Sequence, residues 1–257
     1  MIGEDKMATI KGVVLAGGLG TRLYPLTSIT NKHLLPVWDK PMVYYPIKTL
    51  VEAGIRDVMV VTGGNSAGDF LRLLGNGKEL GLKHIEYAYQ KGEGGIADAL
   101  RLAEDFIDGN KSVIVLGDNI IEKSIKRSVD KFQRQDTGAR ILIKKVPDPG
   151  RFGVVEFSSA RGDKSKKRII KIAEKPKKPK TSYAVTGIYM YDNRVFDIVK
   201  SLKPSNRGEL EITDVNNAYI KQDRMEYDIL SGFWTDSGTF ESLLKANNLV
   251  ARKSIKH

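Results

Sequence analysis

Six residues after a short apolar run, Gly17-Gly18-Leu19-Gly20-Thr21-Arg22, have the composition of an anion cradle. Glycines let backbone N–H groups approach a ligand because no Cβ intervenes, and a loop that follows a strand turns those groups toward one point. Arg22 can grip a phosphate through two parallel hydrogen bonds, and Lys32 supplies a further cation. The chemistry predicted is the binding of a phosphorylated ligand. A Walker loop is excluded, because Arg22 follows Gly20-Thr21 where a lysine is needed. The dinucleotide fingerprint is excluded too, because Leu23 stands where its third glycine belongs. Taken alone, the glycines would also suit a tight β–α connection, and Lys32 a solvated surface site. Asp118 in Leu-Gly-Asp-Asn and Asp236 in Trp-Thr-Asp-Ser-Gly read equally as ligands or as turn residues, at a strand end and a helix start respectively. With 3 histidines and no cysteine, no Ser/His/Asp or Cys/His arrangement is visible. His33 reads as a structural surface or capping residue.

These residues need a scaffold, and the periodicity supplies one. Val13–Ala16 and Ser112–Leu116 are wholly apolar and predict buried parallel strands, with the glycine loop and Asp118 at their ends. Further strands are predicted over Asp57–Thr62, His84–Gln90 and Ala139–Val146, with helices over Pro41–Ala53, from Ser66 (as cap) to Gly75, over one stripe carrying Ile96, Leu100, Ala103 and Ile107, and over Ser124–Gln135. This alternation predicts a doubly wound α/β fold with ligands beyond the C-terminal strand ends. The second half predicts strands over Gly153–Phe157, Arg168–Ala173, Tyr183–Tyr191 and Met225–Leu230, and helices over Asn193–Leu202, Glu211–Lys221 and after a capping Thr239. One domain is expected, from residue 7 to 257. Its first part would cover about residues 10–143, a substrate-facing second lobe about 144–238 and a last helix about 239–254.

Of the 257 residues, 41% are hydrophobic, enough for a sizeable core. The lack of cysteine excludes disulfides and thiolate-bound metals and fits a reducing, cytoplasmic location. The start, MIGEDKMATI, does not read as a secretory leader, and no apolar run suggests a membrane span. The net charge of +11 suits anionic ligands. Part of it lies in Lys164, Lys166, Lys167, Arg168, Lys175, Lys177, Lys178 and Lys180. That stretch reads chiefly as a solvated loop and hairpin; without interleaved aromatics for base stacking, nucleic-acid binding is not expected.

The stretch LAGGLGTRLYPLT, followed by KHLLPVWDKPM, closely resembles the signature of the sugar-1-phosphate nucleotidyltransferases. The likeness continues, in the family's order, through Leu116–Asn119, Glu174-Lys175-Pro176, Val185-Thr186-Gly187, Gly208–Asp214 and Trp234–Thr239. It is nearest to the thymidylyl-transferring branch. The resemblance implies a Rossmann-like nucleotidyltransferase fold with a mixed sheet and a sugar-binding lobe. It implies dTTP (or UTP) and glucose 1-phosphate as partners, Mg²⁺ as cofactor, and a role in rhamnose-type deoxysugar precursor synthesis. Leu15, Gly17, Gly18, Gly20 and Thr21 would hold the triphosphate, and Arg22, Lys32 and Lys175 would be the catalytic cations. Gln90 and Gly95 would read the base; a glutamine amide can pair with the imide edge of thymine or uracil. Asn119, Gly153, Glu174, Lys175, Val185 and Trp234 would line the sugar-phosphate side. Asp118, also on the nucleotide side, and Asp236 would hold the Mg²⁺.

The chain departs from the pattern in places. Phe152 stands where many relatives have tyrosine, and Ser158 to Arg168 is longer and more basic, predicting a longer hairpin. Longer relatives carry extra helices beyond the last element, used for subunit contacts and a regulatory product site; this sequence ends at His257. Monomer, dimer and larger homo-oligomer are all compatible with it. Two rival readings stand beside the main one: a UTP-using or broad-specificity enzyme, and a non-catalytic nucleotide-sugar sensor.

Overall fold

The structure, a computed structural model, describes residues 9–158 and 167–255. Lys164, Lys166 and most of the expected longer hairpin lie outside the described residues, as does Met7. In chain order, the first half contains β1 (Ile10–Ala16), the short β2 (Pro36–Val37) and β3 (Lys40–Pro41), α1 (Tyr44–Glu52), β4 (Asp57–Gly63), α2 (Ala67–Leu74), β5 (His84–Gln90), α3 (Ile96–Arg101), α4 (Glu104–Ile107), β6 (Lys111–Leu116), β7 (Asn119–Ile121), α5 (Lys126–Arg134) and β8 (Ala139–Lys145). The second half contains β9 (Gly153–Phe157), β10 (Ile169–Glu174), β11 (Tyr183–Tyr191), α6 (Val195–Ser201), α7 (Ile212–Lys221), β12 (Met225–Ile229), β13 (Trp234–Asp236) and α8 (Phe240–Ser254).

The apolar runs of β1 and β6 pair in parallel at the centre, followed outward by β4 and β5. Beyond β6 the sheet changes sense: β11 runs antiparallel to β6, to β8 and to β9. One nine-stranded mixed sheet results, the doubly wound α/β architecture that the alternation predicts. Successive side chains of a strand face opposite ways, and β1 shows the consequence. Val13 and Leu15 join a core with Leu100, Phe196 and Tyr219 from α3, α6 and α7. Val14 and Ala16 join another with Ile47, Phe70 and Phe132 from α1, α2 and α5. Each such fully buried Val, Leu, Ile or Phe contributes roughly 1.5–3 kcal/mol by leaving water.

Several expectations are corrected in detail. The first helix starts at Tyr44 rather than Pro41, because Pro41 is taken by the β2–β3 pair. The stripe Ile96 to Ile107 is split into α3 and α4, the chain tightening where Leu102 and Ala103 bond back three residues. The stripe still faces inward, with Leu100, Ala103 and Ile107 buried. Ser66 stands at the N-cap of α2 but its side chain makes no capping bond. Thr239, by contrast, caps α8 through a reciprocal capping box with Ser242. Asp236 does not start a helix: it ends β13, which pairs antiparallel with β7 in a ribbon that no local pattern announces. Among the described residues no helix is long and apolar enough to cross a membrane.

Candidate active site

The parallel strands end in a row that sets the site. Leu15 pairs with Leu116, and the N–H of Gly117 donates to the Leu15 carbonyl at 2.8 Å, so the glycine loop and Asp118 emerge side by side. Gly63, ending β4, pairs with Gln90, ending β5. A Cβ on Gly63 would stand 2.6 Å from the Gly17 carbonyl oxygen, so only glycine lets these strand ends close up.

β7 and β13 add the second aspartate. Asp236 lies opposite Asn119 in the ribbon, and Ser237 N–H donates to the Asp118 carbonyl at 2.9 Å. Asn119 anchors the junction: its amide oxygen accepts from Trp234 Nε1 at 2.6 Å and from the Gly187 N–H at 3.0 Å. The register of β11 against β8 shifts between Val185 and Tyr189, and a Cβ on Gly187 would come within 2.5 Å of Asn119 Nδ2. The irregularity makes room for Asn119. Phe152 packs against the Trp234 ring, centroids 5.1 Å apart, so the tyrosine-to-phenylalanine departure leaves an apolar contact.

A cavity of about 600 Å³ opens where these elements meet. Of the residues expected at the site, Leu15, Gly17, Gly18, Arg22, Lys32, Gln90, Gly95, Asp118, Asn119, Gly153, Glu174, Lys175, Val185, Trp234 and Asp236 all line it. Gly20 and Thr21 do not; they form the turn behind, where Gly20 has φ +69° and accepts from Thr27 Oγ1 at 2.9 Å. His33 also lines it, and the expectation of a surface histidine is corrected: it is 2% exposed. Asn31 holds it, accepting from the His33 N–H and facing Nδ1 at 2.7 Å. Sequence reading also missed Arg151, Thr213 and Asn216, which line the same cavity. Thr213 and Asn216 lie three apart on α7, and this inward face was legible only as helix periodicity.

Charge at the centre is paired but not cancelled. Lys32 Nζ lies 2.6 Å from Asp118 Oδ2, both largely buried, and Asn119 Nδ2 donates to Asp118 Oδ1 at 3.0 Å. Burial pushes the Asp118 carboxyl up, but Lys32 and the Asn119 amide outweigh it and hold it below the usual carboxylate range. Asp236 moves the other way: burial, then the Asp118 charge, raise it, against Arg151, Arg22 and Lys32. Arg151 approaches Asp236 at only 3.9 Å, too far for a hydrogen bond. Two carboxylates thus share one cavity, Asp118 in a close ion pair with Lys32 and Asp236 with Arg151 only at a distance. Hard oxygen donors of this kind fit a divalent cation that completes its shell with phosphate and water. No cluster of three or more His, Cys, Asp or Glu occurs among the described residues, so no third side chain of these types joins the two carboxylates. His33 is held neutral, its pKa pushed down to about 3 by burial and by Lys32.

At the far end, Glu174 Oε2 accepts from Thr213 Oγ1 at 2.6 Å, and Lys175 Nζ lies 3.8 Å from Glu174. Lys175 has φ +40°, an uncommon backbone for a side-chain-bearing residue, and it turns at the mouth of the cavity. Gln90 is buried, and its amide nitrogen donates to the Gly95 carbonyl at 3.1 Å and to Asp98 Oδ2 at 2.9 Å. Its donor end is committed within the chain, and its oxygen faces Gly17.

The sequence profile described as Nucleotidyl transferase matches residues 11–253. The chain is 46% identical to the glucose-1-phosphate thymidylyltransferase of Neisseria meningitidis serogroup A, over 94% of this chain and 82% of that protein. It is 45% identical to the glucose-1-phosphate thymidylyltransferase of Mycobacterium tuberculosis, with the same coverage. A crystal structure from Bacillus anthracis, provisionally assigned as a glucose-1-phosphate thymidylyltransferase and complexed with sucrose, superposes with TM-score 0.87 at 49% identity. The match covers 94% of this chain and 95% of that one. UDP-glucose pyrophosphorylase complexed with UDP-glucose shares the fold, with TM-score 0.83 at 24% identity over 95% of this chain and all of that one.

Proposed function

This chain belongs to the nucleotidyl transferase family, and from that premise we propose that it transfers the thymidylyl group of dTTP to α-D-glucose 1-phosphate. A phosphate oxygen of the sugar phosphate attacks the α-phosphorus, the bond to the β-phosphate oxygen breaks, and dTDP-glucose and pyrophosphate result. The observation that carries the reading is the meeting of Lys32, Asp118 and Asp236 in one cavity with Glu174 and Lys175 at its other end. The attacking phosphate is already deprotonated at neutral pH, so no general base is required. The work is to bring two polyanions together and offset their charge.

In this reading Asp118 and Asp236 would hold Mg²⁺, and the bound ion would supply positive charge to offset that of the phosphates. Gly17 and Gly18 present backbone to the triphosphate, with Arg22 and Lys32 supplying positive charge. A Cβ on Gly238 would stand 2.9 Å from Arg22 Nη2, so that glycine gives the guanidinium its place beside Asp236. Lys175 neutralises the sugar's phosphate, and Glu174 accepts from sugar hydroxyls. Since the Gln90 amide nitrogen is committed to Gly95 and Asp98, its oxygen is what remains for the base. An acceptor there favours a base edge carrying an N–H, as thymine and uracil do and the cytosine ring nitrogen does not. The nucleotide would occupy about residues 10–143 and the sugar phosphate about residues 144–238.

A matrix of nucleoside triphosphates against sugar 1-phosphates, with and without Mg²⁺, tests this by pyrophosphate release. The highest kcat/KM is expected for dTTP with glucose 1-phosphate. A preference for UTP would overturn the thymidylyl assignment, and no turnover in any cell would overturn the enzymatic one.

A further inference from the structure

The cavity wall holds one buried polar group that the chain leaves unsatisfied. Among the described residues, three buried side-chain atoms have no hydrogen-bond partner: Arg140 Nε, Asn216 Nδ2 and Ser237 Oγ. Of these residues only Asn216 lines the cavity, and it is 1% exposed. Buried donors are ordinarily paired, so an orphan NH₂ on a cavity wall calls for an acceptor from outside the chain.

The direction of the amide follows from its other end. Asn216 Oδ1 lies 2.7 Å from the Tyr191 hydroxyl. Tyr191 is fully buried, and burial keeps its phenol protonated. Its proton needs an acceptor, so the amide oxygen turns to the phenol and the NH₂ faces away from it. Tyr191 cannot easily yield: its ring stacks on Tyr189 at 6.1 Å and on Tyr219 at 5.7 Å. Tyr219 is itself fixed by donating to Asp192 Oδ1 at 2.7 Å. One turn before Asn216 on α7, Thr213 lines the same wall and holds Glu174. A carboxylate acceptor and an amide donor on one wall suit a hydroxyl-bearing ring, because each hydroxyl both donates and accepts.

We propose that Asn216 Nδ2 donates a hydrogen bond to a ring hydroxyl of the sugar phosphate, which makes Asn216 a specificity-determining residue for the acceptor substrate. This rests on reading the cavity as the sugar-phosphate site. The test compares wild type with Asn216→Ala and Asn216→Asp on glucose 1-phosphate and its monodeoxy analogues, with dTTP saturating. Both variants lack the amide N–H, and Asn216→Asp keeps the side-chain shape, so thermal unfolding identifies at least one folded protein for the comparison. Wild type should disfavour one deoxy analogue by about 3–10-fold in KM, the worth of one hydrogen bond. In the variants that discrimination should collapse to within about 2-fold, with KM for dTTP unchanged. Wild-type discrimination retained at every ring position would overturn the proposal. Calorimetry with glucose 1-phosphate separates this from failure of the functional reading. Should wild type bind the sugar phosphate more tightly than the variants yet release no pyrophosphate, the catalytic reading falls and the role of Asn216 stands. Should wild type turn over while the variants discriminate as it does, only the role of Asn216 falls. Should wild type neither bind nor turn over, both fall.

Discussion

At the parallel end of the cavity the chain offers backbone and glycine; at the antiparallel end it offers side chains already bonded to one another. Gly17, Gly18 and Gly63 sit where strands β1 and β4 end, and a Cβ on Gly17 would stand 2.8 Å from Gln90 Oε1. Glu174, Thr213, Asn216 and Tyr191 come from β10, α7 and β11 and are held mostly by side-chain hydrogen bonds. An end made of backbone is damaged by adding atoms, whereas an end made of side chains is damaged by removing them. That suits the two proposed ligands: a triphosphate takes N–H groups from any sequence that can bend correctly, but a sugar is read hydroxyl by hydroxyl.

The largest effect should come where the two ends meet. Lys32→Ala leaves the buried Asp118 carboxylate without its cation and removes charge from the reacting phosphates. A fall in kcat of about 10³-fold is expected in pyrophosphate-release assays, with the fold retained. A change confined to KM would place Lys32 in binding alone.

The backbone end also rests on a buried histidine, which the side-chain end lacks. The His33 pKa is lowered to about 3 in the folded protein against 6.5 for the free side chain. The unfolded chain therefore takes up a proton first, and the stability present above pH 6.5 drains away as pH falls toward 3. Urea unfolding at pH 7.5 and 4.5 should show about 2–3 kcal/mol more loss for wild type than for His33→Gln. Equal losses would mean that His33 is not held neutral.

A seam joins the two ends. Gly95 has φ +92°, and a Cβ there would lie 2.6 Å from the Leu210 carbonyl oxygen. Leu210 N–H donates to the Gly94 carbonyl at 2.8 Å. Gly95→Ala should cost about 2 kcal/mol in unfolding free energy and raise KM for both substrates, since it strains the contact they share. The mildest pair gives the sharpest split. Gly17→Ala should raise KM for dTTP about 10-fold and leave that for glucose 1-phosphate alone, and Glu174→Gln should do the reverse. If both variants moved both constants together, the division into two ends would be wrong.

The same contrast governs what was legible in the sequence. The backbone end is contiguous: the apolar run Val13–Ala16 and the glycines after it signal strand, turn and anion in one reading. Gln90 at the end of β5 was equally plain, since HIEYAYQ alternates up to it. The ribbon that brings Asp236 to Asp118 was not, because β7 and β13 have three residues each and pair across more than a hundred. Strands that short carry no period to read. His33 looked like a surface residue because its burial depends on Asn31 and on the packing of Gly117 against its ring. Asn216 looked like any polar residue on a helix; its orphan NH₂ exists only once Tyr191 has taken the oxygen.

The claim on which the rest depends is that both substrates occupy the cavity together and react directly, with no nucleotidylated protein between them. Isotope exchange between labelled pyrophosphate and dTTP tests it most directly. Exchange should be absent until glucose 1-phosphate is added, and should then require Mg²⁺. Full-rate exchange without the sugar phosphate would mean a covalent nucleotidyl intermediate on the protein, and would contradict the account.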